Sequence, residues 1–167
     1  RLYKEEIKGQ VFEKIFSSLN LSKIDMDDTQ QMHREIEEFA RREIESIHLT
    51  YYIKQKIISE IMEDIFGYGP LESLLNNSTI SDILVNGPND VYIDVGGKLE
   101  KTAVYFRSKE HLLHVIRKLV GTAGRRIDES TPIVDAYLPD GSRVNAIIPP
   151  IASAPSLSIR KFVASYS

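Results

Sequence analysis

Hydrophobic spacing changes its period most sharply along this 167-residue chain at Gly67-Tyr68-Gly69-Pro70. Before that point apolar residues recur every three or four positions, as they must to line one face of a helix. After it they fall into short, β-branched runs separated by glycine and proline, the pattern of strands and turns. Helices first, then antiparallel hairpins interrupted by a helix, make an α+β chain: an N-terminal helical bundle followed by a mainly antiparallel sheet with helices. The boundaries read as a three-helix bundle over 1–66 and a sheet domain over 67–162, with 163–167 either the start of a linker or simply the end of the segment.

The helical stripes are explicit. Ile7, Val11, Ile15 and Leu19, flanked by Phe12 and Phe16, form the first; Met32, Ile36, Phe39, Ala40, Ile44 and Ile47 the second; Ile53, Ile57, Ile58, Ile61 and Ile65 the third. Asn20-Leu21-Ser22 and Asp25-Met26-Asp27-Asp28 supply a break and then a helix start, with acids where the next helix dipole favours them. Gly67 stands at the position of a C-cap glycine. Pro70 opens a short helix through Leu71, Leu74 and Leu75. Strands are predicted over Ile80–Val85, Val91–Val95 and Leu99–Phe106, the last two joined at Gly96-Gly97, where two glycines tolerate the positive φ of a primed turn. Ser108 caps a predicted helix over about 109–120, and a second hairpin runs Ile133–Leu138, Pro139-Asp140-Gly141-Ser142, Arg143–Ile148. Leu157–Phe162 alternates as a last strand.

Several chemistries are excluded. The chain has no cysteine, which removes disulfides, thiolate metal sites and cysteine nucleophiles and suits a reducing cytoplasm. It contains no G-x-x-x-x-G-K-[ST], no G-x-G-x-x-G opening a helix and no G-x-S-x-G elbow. No apolar run reaches the roughly 18–20 residues that span a bilayer. His111 and His114 are one helical turn apart, but no further ligands accompany them, so the expectation is a solvated helix face and no metal site. Asp27-Asp28 and Asp128-Glu129 sit at helix starts and turns, where carboxylates cap backbone N–H groups. The start, Arg1-Leu2-Tyr3-Lys4-Glu5-Glu6, is too charged for a signal peptide and lacks a methionine, so a longer natural chain is expected.

Net charge is −3, which disfavours a general nucleic-acid binder. Yet residues 117–161 hold seven Lys/Arg against four Asp/Glu. Four arginines stand beside turns or in strands: Arg125 and Arg126 in Gly124-Arg125-Arg126-Ile127-Asp128, Arg143 after Asp140-Gly141-Ser142, and Arg160 in the last strand. If Arg143 and Arg160 lie on adjacent strands, their planar, permanently charged forks can converge on one phosphate. Alternatively each arginine pairs with a local carboxylate, for instance Arg125 or Arg126 with Asp128.

These residues also carry a resemblance. Gly67-Tyr68-Gly69-Pro70-Leu71-Glu72, Ile80-Ser81-Asp82-Ile83-Leu84-Val85-Asn86-Gly87, Gly124-Arg125-Arg126-Ile127-Asp128-Glu129-Ser130, Leu138-Pro139-Asp140-Gly141-Ser142-Arg143-Val144-Asn145-Ala146 and Leu157-Ser158-Ile159-Arg160-Lys161-Phe162, in that order, are similar to the N-terminal domain of type II/IV secretion-system ATPases. The resemblance covers about residues 65–162 and is closest to the CpaF/TadA-like ATPases of Tad/Flp pilus assembly. It implies a PAS-like sheet domain followed by a RecA-like domain that carries the Walker motifs. It further implies a cytoplasmic homohexamer, peripheral to the inner face of the membrane, that docks on an inner-membrane platform and uses ATP and Mg²⁺ for pilus assembly or export. Arg143 and Arg160 correspond to arginines that reach the nucleotide's terminal phosphates, and Arg126 to a weaker match. Tyr137 stands where similar sequences usually have arginine, and Ala154-Pro155 where they have Gly-Pro. On this reading the 167 residues do not hydrolyse ATP alone. The rival is a non-enzymatic PAS-like sensor or interaction module, which requires an enclosed apolar pocket.

Overall fold

A computed structural model describes residues 2–18 and 29–162. The chain divides into two units, Arg1–Gly67 and Tyr68–Ser167. The expected break at Asn20–Asp28 and the expected linker over 163–167 lie outside the described residues, as does Leu19.

In the first unit α1 (Leu2–Ser18), α2 (Thr29–Glu45) and α3 (Tyr51–Phe66) pack together. Their stripes meet as anticipated: Ile7, Val11, Phe12, Ile15, Met32, Ile36, Ala40, Ile44, Ile57, Ile58, Ile61 and Ile65 form one buried cluster. Phe39, Ile47 and Ile53 lie partly buried at its margin. Lys8 is buried within this bundle, its ammonium 3.2 Å from Glu60 and 3.4 Å from Asp64, so α1 and α3 are joined by charge as well as by apolar contact. The Thr50 hydroxyl caps α3 by accepting from the Ile53 N–H. Gly67 closes α3 by donating to the Glu63 carbonyl, but its φ of −91° is not left-handed, so the cap does not require glycine. The left-handed residue is Gly69, at φ 55°.

The second unit opens with a 3₁₀ turn, Gly69–Leu71, and a one-turn helix, α4 (Glu72–Leu75). Six strands follow: β1 (Ile80–Asn86), β2 (Val91–Val95), β3 (Lys98–Lys101), β4 (Ile133–Tyr137), β5 (Arg143–Ile147) and β6 (Ser156–Arg160), with α5 (Lys109–Thr122) between β3 and β4. They form one antiparallel sheet in the order β3-β2-β1-β6-β5-β4. The last strand in sequence therefore lies at the centre and joins the two hairpin systems. Ile83, Val85, Val91, Val134, Val144, Ala146, Leu157 and Ile159 cover one face and share a buried cluster with Leu112, Val115, Ile116, Leu119 and Val120 of α5. Among the described residues of this unit nothing packs on the other face, the common state of an antiparallel sheet covered on one side only.

Local chemistry sets the details. Gly96 and Gly97 adopt φ 61° and 84°, as the β2–β3 turn demands. The Ser108 hydroxyl caps α5 by accepting from the His111 N–H. A register irregularity between Ile80 and Asp82 lets Ile80 and Ile83, three residues apart, both enter the core. An extra residue in one strand is what shifts the alternation.

Two expectations need correction. The third strand ends at Lys101 instead of Phe106: Thr102 turns its N–H and hydroxyl onto the Val91 carbonyl, and Phe106 then drops into the core. His111 and His114 are buried, not solvated, at 1% and 7% exposure. The inward stripe of α5 is wide enough to include them; His111 Nδ1 accepts from the Arg107 N–H, and its ring meets the Phe106 ring edge-on at 5.4 Å.

Candidate functional site

The open face of the sheet carries two rows of side chains fixed by strand register. One row runs Leu99–Asp94–Asp82–Arg160–Arg143–Tyr137 across all six strands, and the next runs Lys101–Tyr92–Leu84–Ser158–Asn145–Asp135. Arg143 and Arg160 are thus direct cross-strand partners. A groove of about 350 Å³ lies over them, lined by Asp82, Leu84, Asp94, Leu99, Arg143, Asn145, Ser158 and Arg160.

Like charges directly opposite each other on a sheet repel. Here each arginine is drawn to a carboxylate on its far side. Arg143 donates from Nε and Nη2 to the two oxygens of Asp135, at 3.0 and 2.8 Å. Arg160 donates from Nε to Asp82 Oδ1 at 3.0 Å. The Ser81 hydroxyl donates to Asp82 Oδ2 at 3.1 Å. The two arginines are thus neighbours across β5 and β6, and each also has an acidic partner. Among the described residues, Nη1 of Arg143 and both terminal nitrogens of Arg160 take no protein partner.

The backbone around the pair is fastened. In the β4–β5 turn Asp140 accepts from the Ser142 N–H at 2.8 Å, and Gly141 takes φ 92°. The buried Ser142 hydroxyl accepts from the Phe162 N–H at 3.1 Å. Glycine is needed at position 141 for its φ, and a Cβ there would sit 3.0 Å from the ring of the exposed Phe162. Lys161 donates from its ammonium to the carbonyls of Leu74 and Asn77, at 3.2 and 2.6 Å, and from its N–H to Ser81. Partial burial lowers its pKa, with Asp140 acting in the opposite direction. The residue before Arg143 and the residues after Arg160 are thus tied to each other and to β1.

Arg126 does not join the groove. It is exposed in the loop after α5, beside Asp128. Asp128 is held below the usual carboxylate range chiefly by the Ser130 hydroxyl and then by the Thr131 N–H, with a small contribution from Arg126. Arg125 comes closer, donating to the Asp135 carbonyl at 3.2 Å on the outer edge of β4. Tyr137, the departure from the arginine usual in similar sequences, stands directly beside Arg143 and is largely exposed. Asp82 and Asp135 were not singled out from sequence. Their polar positions on an alternating strand were visible; the partner of Asp82 follows only from a register that joins residues 78 positions apart, whereas Asp135 and Arg143 lie eight apart on one hairpin.

Arg143 holds the Asp135 carboxyl below its ordinary pKa, mainly through their hydrogen bonds, against a small opposing effect of burial. A carboxyl whose pKa is lower in the folded than in the unfolded state stabilises the fold above its unfolded pKa and loses that contribution as pH falls through its folded pKa. Carboxyl-carbon NMR should therefore find Asp135 still ionised below the usual range, and Arg143→Ala should return it towards that range. A titration curve unaltered by Arg143→Ala would refute the ion pair.

Among the described residues no group of three or more histidines and carboxylates could hold a metal ion, and no helix is long and apolar enough to cross a membrane. Residues 64–165 match the family described as type II/IV secretion system protein. VirB11 of the Brucella suis type IV secretion system is 28% identical over 94 residues, 56% of this chain and 26% of that protein. A candidate conjugal transfer protein of Mycobacterium tuberculosis is 31% identical over 99 residues, 56% of this chain and 28% of that protein. The crystal structure of the B. suis VirB11 ATPase in complex with sulphate resembles this chain with a TM-score of 0.52 and 28% identity, over 59% of this chain and 31% of that one. This chain thus spans less than a third of each of those proteins. The family match extends over more than half of the chain, across every strand and the arginine-bearing face, and the chain belongs to the type II/IV secretion system protein family.

Proposed function

We propose that the open face of the sheet meets the terminal phosphates of ATP held by another domain of a secretion or pilus-assembly motor. The observation that carries this reading is the Arg143–Arg160 pair, opposed on neighbouring strands with their outer nitrogens turned to solvent. Two guanidiniums neutralise charge that builds on a transferring phosphoryl group, as arginine fingers do at P-loop sites. The sulphate of the VirB11 complex is an oxyanion of similar shape, in keeping with an anion-binding relative. The 167 residues contain no G-x-x-x-x-G-K-[ST], and on this reading another domain of the motor supplies the phosphate cradle and the Mg²⁺ ligands. Arg126 lies outside the groove's lining, beside Asp128, and has no part in this reading.

In the full protein this domain works against a RecA-like partner domain in a homohexamer at the cytoplasmic side of the membrane. ATP-driven movement between the domains is passed to an inner-membrane platform, and the CpaF/TadA-like branch makes pilus assembly the favoured output. The open, polar groove suits a phosphate presented from outside better than the enclosed apolar pocket of a sensor. Purified residues 1–167 should hydrolyse no ATP, whereas the full-length protein should, and the gene should encode G-x-x-x-x-G-K-[ST] within about 100–200 residues downstream, one domain's length. Turnover by the 167-residue chain, abolished by Arg143→Ala, would overturn this division of labour.

A further inference from the structure

The two arginines are held by the same edge. Asp135 takes Nε and one hydrogen of Nη2 from Arg143, and Asp82 takes Nε from Arg160. A guanidinium has five N–H donors in one plane. Occupying the Nε side leaves the terminal fork, the part that grips a phosphate bidentately, open on both residues. The two carboxylates approach from opposite ends of the four-residue segment Asp82–Arg160–Arg143–Tyr137, Asp82 directly across from Arg160 and Asp135 diagonally across from Arg143. Asp82 is itself held by Ser81. The side chains of Arg143 and Arg160 are 51% and 80% exposed, so packing alone does not fix their direction.

We infer that Asp82 and Asp135 are positioning residues, which lock the Arg160 and Arg143 guanidiniums with their terminal forks aimed at the incoming phosphate. The inference rests on the function proposed above. A carboxylate beside an anion site has two opposed effects: its charge weakens attraction for phosphate, while its hydrogen bonds keep the fork aligned. Removing the charge therefore leaves ATP binding intact or slightly tighter and impairs the chemical step. That split distinguishes positioning from simple competition, in which removal of the carboxylate would speed turnover.

The test is steady-state ATP hydrolysis by the full-length protein carrying Asp135→Asn, Asp82→Asn, Arg143→Ala, or Asp135→Asn with Arg143→Ala. Each asparagine variant should lower kcat by about tenfold, the scale of a misaligned reacting group, with KM for ATP unchanged or reduced. In the Arg143→Ala background Asp135→Asn should have no further effect, because its influence passes through that arginine. An Asp135→Asn effect of equal size in both backgrounds would reveal a merely structural role and overturn the inference, as would unchanged or faster turnover in both asparagine variants. If Arg143→Ala alone leaves turnover unaltered, the phosphate reading falls and this inference with it. If Arg143→Ala slows turnover and Asp135→Asn does not, only the positioning role is lost.

Discussion

Arg143→Ala and Arg160→Ala should each slow ATP turnover by the full-length protein by roughly 10²–10³-fold, the usual scale for losing one preorganised donor to transition-state charge. The chain should fold as before. Both side chains lie on the open face, and each makes only an exposed ion pair, a class that contributes little to stability. Arg143→Lys should not restore the rate, because an ammonium cannot reproduce a planar fork already committed on one side to Asp135. The double variant should lose less than the product of the single losses, since the two forks serve one phosphate and act as a unit. The measurements are kcat and KM for ATP, with thermal unfolding as the check on folding. Should both single variants retain full turnover, the arginine pair has no part in the reaction.

The distance between what could be read and what could not follows from how each feature is encoded. Helices and turns are written locally. The stripes of α1 to α3, the Ser108 cap and the Gly96-Gly97 turn need only neighbouring residues, and the structure has them where spacing puts them. That Arg143 and Arg160 stand side by side required β5 and β6 to be neighbours, which they are. The central place of β6, by contrast, depends on non-local pairing, and a one-residue slip would turn every side chain to the opposite face. Asp82 shows the consequence. Alternation with Ile83 and Val85 puts it on the open face, but its partner is 78 residues away. His111 failed for a different reason: polarity argued for solvent, yet its ring is apolar along the edges and Nδ1 finds a backbone donor within its own turn. The early end of β3 has the same origin, a Thr102 side chain that competes with the ladder for the Val91 carbonyl.

Phe106→Ala should destabilise the sheet unit by about 3–5 kcal/mol, the usual cost of removing a buried aromatic ring. Phe106 is 1% exposed and belongs to the cluster that joins the sheet to α5. Its N–H donates to the Pro88 carbonyl at 2.7 Å, and its ring is met edge-on by His111, so the surrounding backbone is poorly placed to collapse into the vacated space. For a unit of this size a loss of that order is a large part of the roughly 5–15 kcal/mol that holds a domain together. Leu99→Ala, at a side chain 56% exposed on an edge strand, should stay within about 0.5 kcal/mol of the parent. Denaturant unfolding followed by amide exchange in β1 and β6 reports on this unit specifically, and Phe106→Leu should recover most of the loss. Equal stability of Phe106→Ala and Leu99→Ala would mean that the ring does not hold the core. The consequence for function is direct, because Arg143 and Arg160 sit on the strands whose opposite face Val144 and Ile159 bury in that same core. Arg143 and Arg160 share a row only while that core keeps β5 and β6 in register, so in denaturant the Phe106→Ala chain should lose that arginine row in the same step as its protected amides.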